Sequence, residues 1–360
     1  MRNILNVVLV LGSVASVNAF PKFSNARPRS IEIRAPQAPP AEGGAPPAVA
    51  PAPGAPPATP GAAPPGLAPA PGAPAPVPVP APGAPAPAPG APGAPAPGGL
   101  TDVDILQFAL TLENLESNFY QQGFAKFPDT EFAALGLAPE QITALKAVGG
   151  TEATHVTQLM SAITAAGTQP VQPCQYNFGF TTPANMVATA RVLEAVGISA
   201  YLGAAPLVQS KAVLTAAAQI VTIEARHQTF IRTASKAVPV PNAFDTPLGP
   251  RAVFTLAAPF IASCPQGSNL NIQAFPAIAL AGGGMGITAG QSLVLADPAQ
   301  PQGAQFCAFV NQGMSMFAPL AQGSCQVPAN MSGEVYMMVT RTQSIADADI
   351  LAGPSVIIMT

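Results

Sequence analysis

Histidine is almost absent from this chain: its 360 residues contain two. Cysteine is scarce at four, and charged residues make up 9%, with 14 basic against 17 acidic side chains. Each shortage excludes something. A slightly acidic balance without a basic stripe gives no footprint for nucleic acid. Beyond the N-terminus, no apolar run is free of Pro and Gly for the length of a membrane span. The run Gly282-Gly283-Gly284-Met285-Gly286 is followed by neither Lys-Ser/Thr nor an opening helix, so a hairpin turn is expected there rather than a phosphate loop.

The chain itself starts with Arg2, an apolar stretch from Ile4 to Val17 and the small-residue site Val17-Asn18-Ala19. Residues 1–19 therefore read as a signal peptide, too short for a span, and predict a secreted, extracellular or cell-wall protein. Residues 20–99 read as a disordered arm and linker. Lys22, Arg27, Arg29 and Arg34 precede a Pro/Ala/Gly tract with repeated Gly-Ala-Pro units, where Pro fixes φ and removes backbone donors. Such a tract is a polyproline-like spacer reaching on the order of 100 Å, and cell-wall polymer is its expected partner.

From Leu100 the periodicity becomes helical. Thr101 reads as an N-cap, and Ile105, Phe108, Leu112, Leu115 and Phe119 keep one face. Pro139 opens a second helix running to about Ala166, with a kink or break expected at Gly149-Gly150. Thr182-Pro183 opens a third, which Pro206 ends or bends into a fourth reaching about Lys236. Beyond Pro239, segments such as 252–256, 286–295, 305–310 and 333–339 are rich in β-branched and aromatic residues between Gly, Pro and Asn clusters. They predict a small antiparallel β-sandwich over 238–360. In a secreted chain Cys174, Cys264, Cys307 and Cys325 are expected as disulfides. Cys307 and Cys325 flank an apparent hairpin and are the first choice of bridge, leaving Cys174 with Cys264, although three connectivities remain open. Asn330-Met331-Ser332 is a glycosylation sequon at Asn330.

The chemistry is written in the helices. Each histidine follows a Glu by three residues, as Glu152/His155 and Glu224/His227. One helix earlier stands a Glu with a Tyr seven residues on, as Glu113/Tyr120 and Glu194/Tyr201. Residues three apart share a helix face, and residues seven apart return to it within about 20°. Glu116 can join them at i+3. The flanking residues are apolar, and carboxylates are rarely buried without a partner or a metal. A single Glu-x-x-His is an ordinary solvated pair, but here both histidines carry the motif. Four carboxylates and two imidazoles converging between four helices form the ligand set of di-iron and di-manganese carboxylate proteins.

The pattern resembles the ferritin-like fold. More closely, the run Leu106–Tyr120, Val171-Gln172-Pro173-Cys174 with Tyr176-Asn177-Phe178, Val192-Leu193-Glu194 through Ala205, and Glu224-Ala225-Arg226-His227 are similar to secreted fungal ferritin-like domain proteins of the stress-response and desiccation-related group. The resemblance covers most of 100–360 and leaves out the Pro-rich tract. It implies an α+β multidomain protein with a ferritin-like four-helix bundle over 100–237 and an appended β domain. It brings no settled activity. The family's cysteine pattern has counterparts of Cys174 and Cys264, which supports that pairing.

Two Fe or Mn ions are the expected cofactors, since carboxylate and imidazole suit them and no thiolate joins the set. Glu152 and Glu224 are expected to bridge, His155 and His227 to bind one ion each, and Glu113 and Glu194 to close the ends. Tyr120 and Tyr201 are expected to orient ligating carboxylates. The enzyme reading is an oxidase, peroxidase or catalase-like reaction on O2 or peroxide. The alternative is a non-enzymatic, wall-associated or stress-protective protein with a structural metal site or none.

Overall fold

The computed structural model describes residues 99–268, 270, 272–296 and 301–360. The signal peptide expected at 1–19, and the arm and tract at 20–98, lie outside the described residues.

Among the described residues, six α-helices precede the larger sheet. Helix α1, Asp102–Lys126, starts on a capping box: the Asp104 N–H donates to Thr101 Oγ1 at 3.1 Å and the Thr101 N–H to the Asp104 carboxylate at 2.8 Å. Its buried stripe is the predicted one, Ile105, Phe108, Leu112, Leu115 and Phe119. A short helix, α2, Asp129–Ala134, is not anticipated by any sequence period. Its one buried side chain, Phe132, fits against Phe124 and Phe127, which is more contact than pattern.

Helix α3, Pro139–Ala165, runs unbroken through Gly149-Gly150, so the helix does not break there. The reason is clearance. A Cβ on Gly149 would sit 2.8 Å from the Tyr120 Cβ, so glycine lets α3 approach α1 closely, whereas Gly150 faces open space. Helix α4, Pro183–Ala204, is capped by Thr182 and followed by a 3-10 turn at Ala205–Leu207 that contains Pro206. Helix α5, Lys211–Ala234, then begins, and the Asp102 carboxylate accepts the N–H groups of Gln209 and Ser210 at 2.8 Å each, fixing its start to α1. Each of the four long helices touches two others: α1 with α3 and α4, and α5 with α3 and α4.

The segment expected as a strand at 252–256 is instead helix α6, Pro250–Ala257. Val253, Thr255 and Phe254 favour strands, but Pro250 presets a first helical turn and Ala252, Val253 and Ala257 bury at helical spacing. The long connection between α3 and α4 is stitched to the chain just beyond α6. There β1, Gln175–Tyr176, pairs with β2, Ile261–Ser263, beside the Cys174–Cys264 disulfide.

The remaining chain forms small antiparallel sheets, so the protein is α+β. A ribbon joins β3, Ser292–Val294, to β6, Ser324–Gln326. A four-stranded sheet has the order β5-β4-β7-β8, from Met314–Pro319, Phe306–Asn311, Glu334–Thr340 and Ile350–Ile358. Gln312 and Gly313, with φ of 55° and 71°, make the two-residue turn between β4 and β5. Where a sandwich of two sheets is expected, this sheet lies between unlike layers. Ala308, Val310, Tyr336 and Met338 share a core with the helices, while Cys307, Phe309, Val335 and Met337 pack with Leu293, Cys325 and Val327 around the ribbon. The Cys307–Cys325 disulfide joins sheet to ribbon. Asn330 is exposed at a turn, with φ of 62°.

Candidate metal centre

The apolar faces that join α1, α3, α4 and α5 carry an island of acid. Glu113, Glu116, Glu152, Glu194 and Glu224 are each at most 4% exposed, and His155 and His227 are 8% and 7% exposed. Water solvates none of these carboxylates, so their charge must be met inside the protein.

The side chains meet in two sets of four. Glu113, Glu152, His155 and Glu224 form one and Glu152, Glu194, Glu224 and His227 the other, with ligand atoms within 4.8 Å of one another in each. Glu152 and Glu224 belong to both. His155 Nδ1 lies 3.2, 3.1 and 3.2 Å from oxygens of Glu113, Glu152 and Glu224. His227 Nδ1 lies 2.7 Å from Glu152 and 3.2 Å from Glu194. Ligands held about 2.1 Å from one ion at right angles stand about 3 Å apart, so these separations suit the edges of a coordination shell. Glu224 Oε2 has no hydrogen-bond partner, while Glu224 Oε1 and Glu152 Oε1 face only the Nδ1 atoms of His155 and His227. Buried carboxylate oxygens that meet only imidazole nitrogens fit metal ions by charge and by donor type.

The surrounding groups hold the ligands in place. Tyr201 donates to Glu113 Oε1 at 2.5 Å, and Tyr120 donates to Glu194 Oε1. Each tyrosine thus steers a carboxylate of one set. Thr151, absent from the residues that the sequence singles out, fixes an imidazole. Its hydroxyl donates to the Val148 carbonyl at 2.6 Å and so accepts from His227 Nε2, 2.8 Å away. That leaves the His227 Nδ1 lone pair for a ligand between the carboxylates. Gly197 supplies room. A Cβ there would lie 3.0 Å from Glu116 Oε1 and 3.1 Å from Glu224 Oε2. Glu116 therefore comes in beside Glu224, as its i+3 spacing from Glu113 allows. The sequence carries one signal for Thr151, its place immediately before Glu152, and none for Gly197.

The protonation pattern reports the crowding. Burial, reinforced by the neighbouring carboxylates, pushes Glu224 and Glu116 well above the usual carboxylate range. Burial likewise raises Glu113 to about 7, against the hydrogen bond from His155, and raises Glu194. Glu152 goes the other way. Burial opposes its charge, but hydrogen bonds with His155 and His227 prevail and hold it at about 2. Burial would lower both histidines, yet their carboxylate partners push His155 up to about 12 and His227 to about 9. Without metal, protons occupy the imidazole nitrogens that face the carboxylates. Burial also lifts Tyr120 and Tyr201 well above the ordinary phenol value, so both stay neutral donors.

Residues 101–237 match the family model of the ferritin-like domain. That stretch contains every glutamate, histidine and tyrosine of the cluster. Protein rds1 of Schizosaccharomyces pombe is 29% identical over 180 residues, which are 50% of this chain and 44% of that protein, so the match spans less than half the relative's length. Among solved structures, the conserved hypothetical protein rv2844 from Mycobacterium tuberculosis is 17% identical and aligns over 37% of this chain and 95% of its own, with a TM-score of 0.31. The match thus spans helices α1 to α5 and the possible metal site between them.

Proposed function

We propose that this is a secreted protein whose ferritin-like four-helix bundle holds two Fe or Mn ions and acts on O2 or peroxide. The observation that carries the reading is the sharing of Glu152 and Glu224 between the two sets of ligand atoms, with Glu224 Oε2 unpartnered and the other oxygens facing only imidazole Nδ1 atoms. Glu152 and Glu224 would bridge, His155 and Glu113 would serve one ion, and His227 and Glu194 the other. When bound, two redox-active ions supply the electron transfer that oxidase, peroxidase or catalase-like chemistry needs.

The chain's own residues do the rest. Tyr120 and Tyr201 orient the terminal carboxylates, Thr151 selects the His227 tautomer, and the apolar helix faces exclude bulk water. Secretion is supported by the signal-like segment 1–19, by two disulfides, which persist in oxidising compartments, and by the exposed sequon at Asn330. Wall association through the Pro-rich arm belongs to the same proposal.

The test is elemental analysis of the protein purified without chelator, beside the double variant His155→Ala/His227→Ala. About two Fe or Mn per chain in the wild type, lost in the variant, is the expected result. One observation favours a second, non-enzymatic reading: both imidazoles already lie within ion-pair distance of carboxylates, so protons alone can balance the cluster. A folded wild type that takes up neither Fe(II) nor Mn(II) would decide for that reading and against the metal centre.

A further inference from the structure

A cavity of about 330 Å³ lies away from the carboxylate cluster, between the segment just after α2, helix α4, the end of α5 and the last residue of β8. An apolar cavity of about 150 Å³ accommodates benzene, so this one has room for a body of about a dozen heavy atoms. Its walls are of two kinds. Leu135, Val187, Met285 and Ile358 present apolar surface, whereas Arg191 and Lys236 are its charged residues, and no acidic residue lines it.

Arg191 points to the kind of ligand. Its side chain is 12% exposed, and its hydrogen bond runs from Nε to Glu334 Oε1 at 2.6 Å. Among the described residues neither Nη atom has a partner, and neither is sealed from solvent, since the sealed and unpartnered side-chain atoms belong to Glu152, Glu224 and Gln228. The cavity that Arg191 lines is the open space they reach. With Nε engaged, the two Nη groups remain as a planar, two-pronged donor whose geometry matches a carboxylate. The local charge is also in surplus. Arg191 and Arg232 share the single carboxylate of Glu334, Asp245 favours the charge of Arg232, and the exposed Lys236 has no ion-pair partner among the described residues. Three cations against two anions leave one positive charge unmatched.

We propose that this cavity binds a small monocarboxylate with an apolar chain, its carboxylate on the free edge of the Arg191 guanidinium beside Lys236 and its chain against Leu135, Val187, Met285 and Ile358. Each part of such a ligand answers one feature of the site. The head accepts from both Nη groups, its single charge meets the surplus, and the chain covers apolar wall that is otherwise left to water. The proposal does not rest on the metal centre, although α4 carries residues of both.

The experiment is calorimetric titration of the full-length protein at neutral pH with octanoate, kept below micelle-forming concentrations, beside octylammonium, octanol and acetate. Octanoate is expected to bind saturably with one molecule per chain. The other three, which have the wrong charge, no charge or no chain, are expected to bind about tenfold more weakly or not at all. Arg191→Lys keeps the charge but removes the fork, and should weaken octanoate about tenfold. Lys236→Glu reverses a charge of the lining, and Ala188→Phe fills the cavity from α4. Each is likewise expected to weaken binding by about tenfold. Lys236 and Ala188 are exposed, so these two variants keep the test valid should Arg191→Lys fail to fold. Absence of saturable octanoate binding, octylammonium or octanol binding as tightly as octanoate, or unchanged affinity in any folded variant would overturn the proposal.

Discussion

Tyr120 and Tyr201 each spend their single hydroxyl proton on a terminal carboxylate, Glu194 and Glu113, so each controls the direction of one ligand at one end of the cluster. Replacing either by Phe keeps the ring and its packing but frees the carboxylate to rotate. Tyr120→Phe and Tyr201→Phe should each lower metal affinity by about 10–100-fold while leaving the fold unchanged, as read by competitive metal titration and circular dichroism. Equal affinities would remove the orienting role. Gly197→Ala tests space rather than bonding. The added methyl would lie 3.0 and 3.1 Å from carboxylate oxygens of Glu116 and Glu224, so bound metal should fall below two per chain in a protein that still folds. At this scale much was legible: helical spacing alone put the two Glu-x-x-His pairs, the two further glutamates and both tyrosines on one axis, where the structure has them. Thr151 and Gly197 were not legible as site residues. A threonine and a glycine acquire meaning only when another helix comes within reach, and no period announces that.

The helices show where local rules hold and where packing overrides them. Thr101, Pro139, Thr182 and Pro206 mark boundaries because capping and proline effects act within a few residues of chain. Gly149-Gly150 misled, since glycine weakens a helix on its own but here serves the approach of α1 to α3. Helix α6 misled in the opposite sense, because its β-branched residues are overruled by a proline start and burial at helical spacing. The two adjacent glycines therefore separate under substitution. Gly150→Ala meets nothing within 4 Å and should stabilise α3 by about 0.5–1 kcal/mol. Gly149→Ala drives a Cβ to 2.8 Å from Tyr120 and should cost about 1–3 kcal/mol. Urea midpoints of the two variants check both signs, and like effects in the two would refute the clearance argument.

For the whole described unit, the sheet was legible as strands but not as a layer. Alternation in β4 and β7 shows that both faces are covered, yet cannot say that helices cover one and a two-stranded ribbon the other. The same enclosure makes the carboxylate cluster a large term in stability, and its sign can be worked out. Glu113 rises from 4.5 to about 7 and His227 from 6.5 to about 9. A pKa raised by folding stabilises below its unfolded value and loses that contribution as pH climbs through the folded value. Glu152, depressed from 4.5 to about 2, stabilises above 4.5 and loses its contribution as pH falls from 4.5 through about 2. Metal-free protein should therefore be most stable between these regimes, near pH 5, and weaken by on the order of a few kcal/mol toward pH 9. Metal must displace the same protons, so its affinity should rise over the window in which the metal-free fold weakens. Urea midpoints measured from pH 4.5 to 9, with and without Mn(II), should diverge steadily, the loaded protein holding its midpoint while the metal-free one falls. A metal-free midpoint that is flat or rising across that range would mean the buried glutamates and histidines are not proton-coupled as their contacts require. Parallel curves would mean that Mn(II) does not compete for those protons.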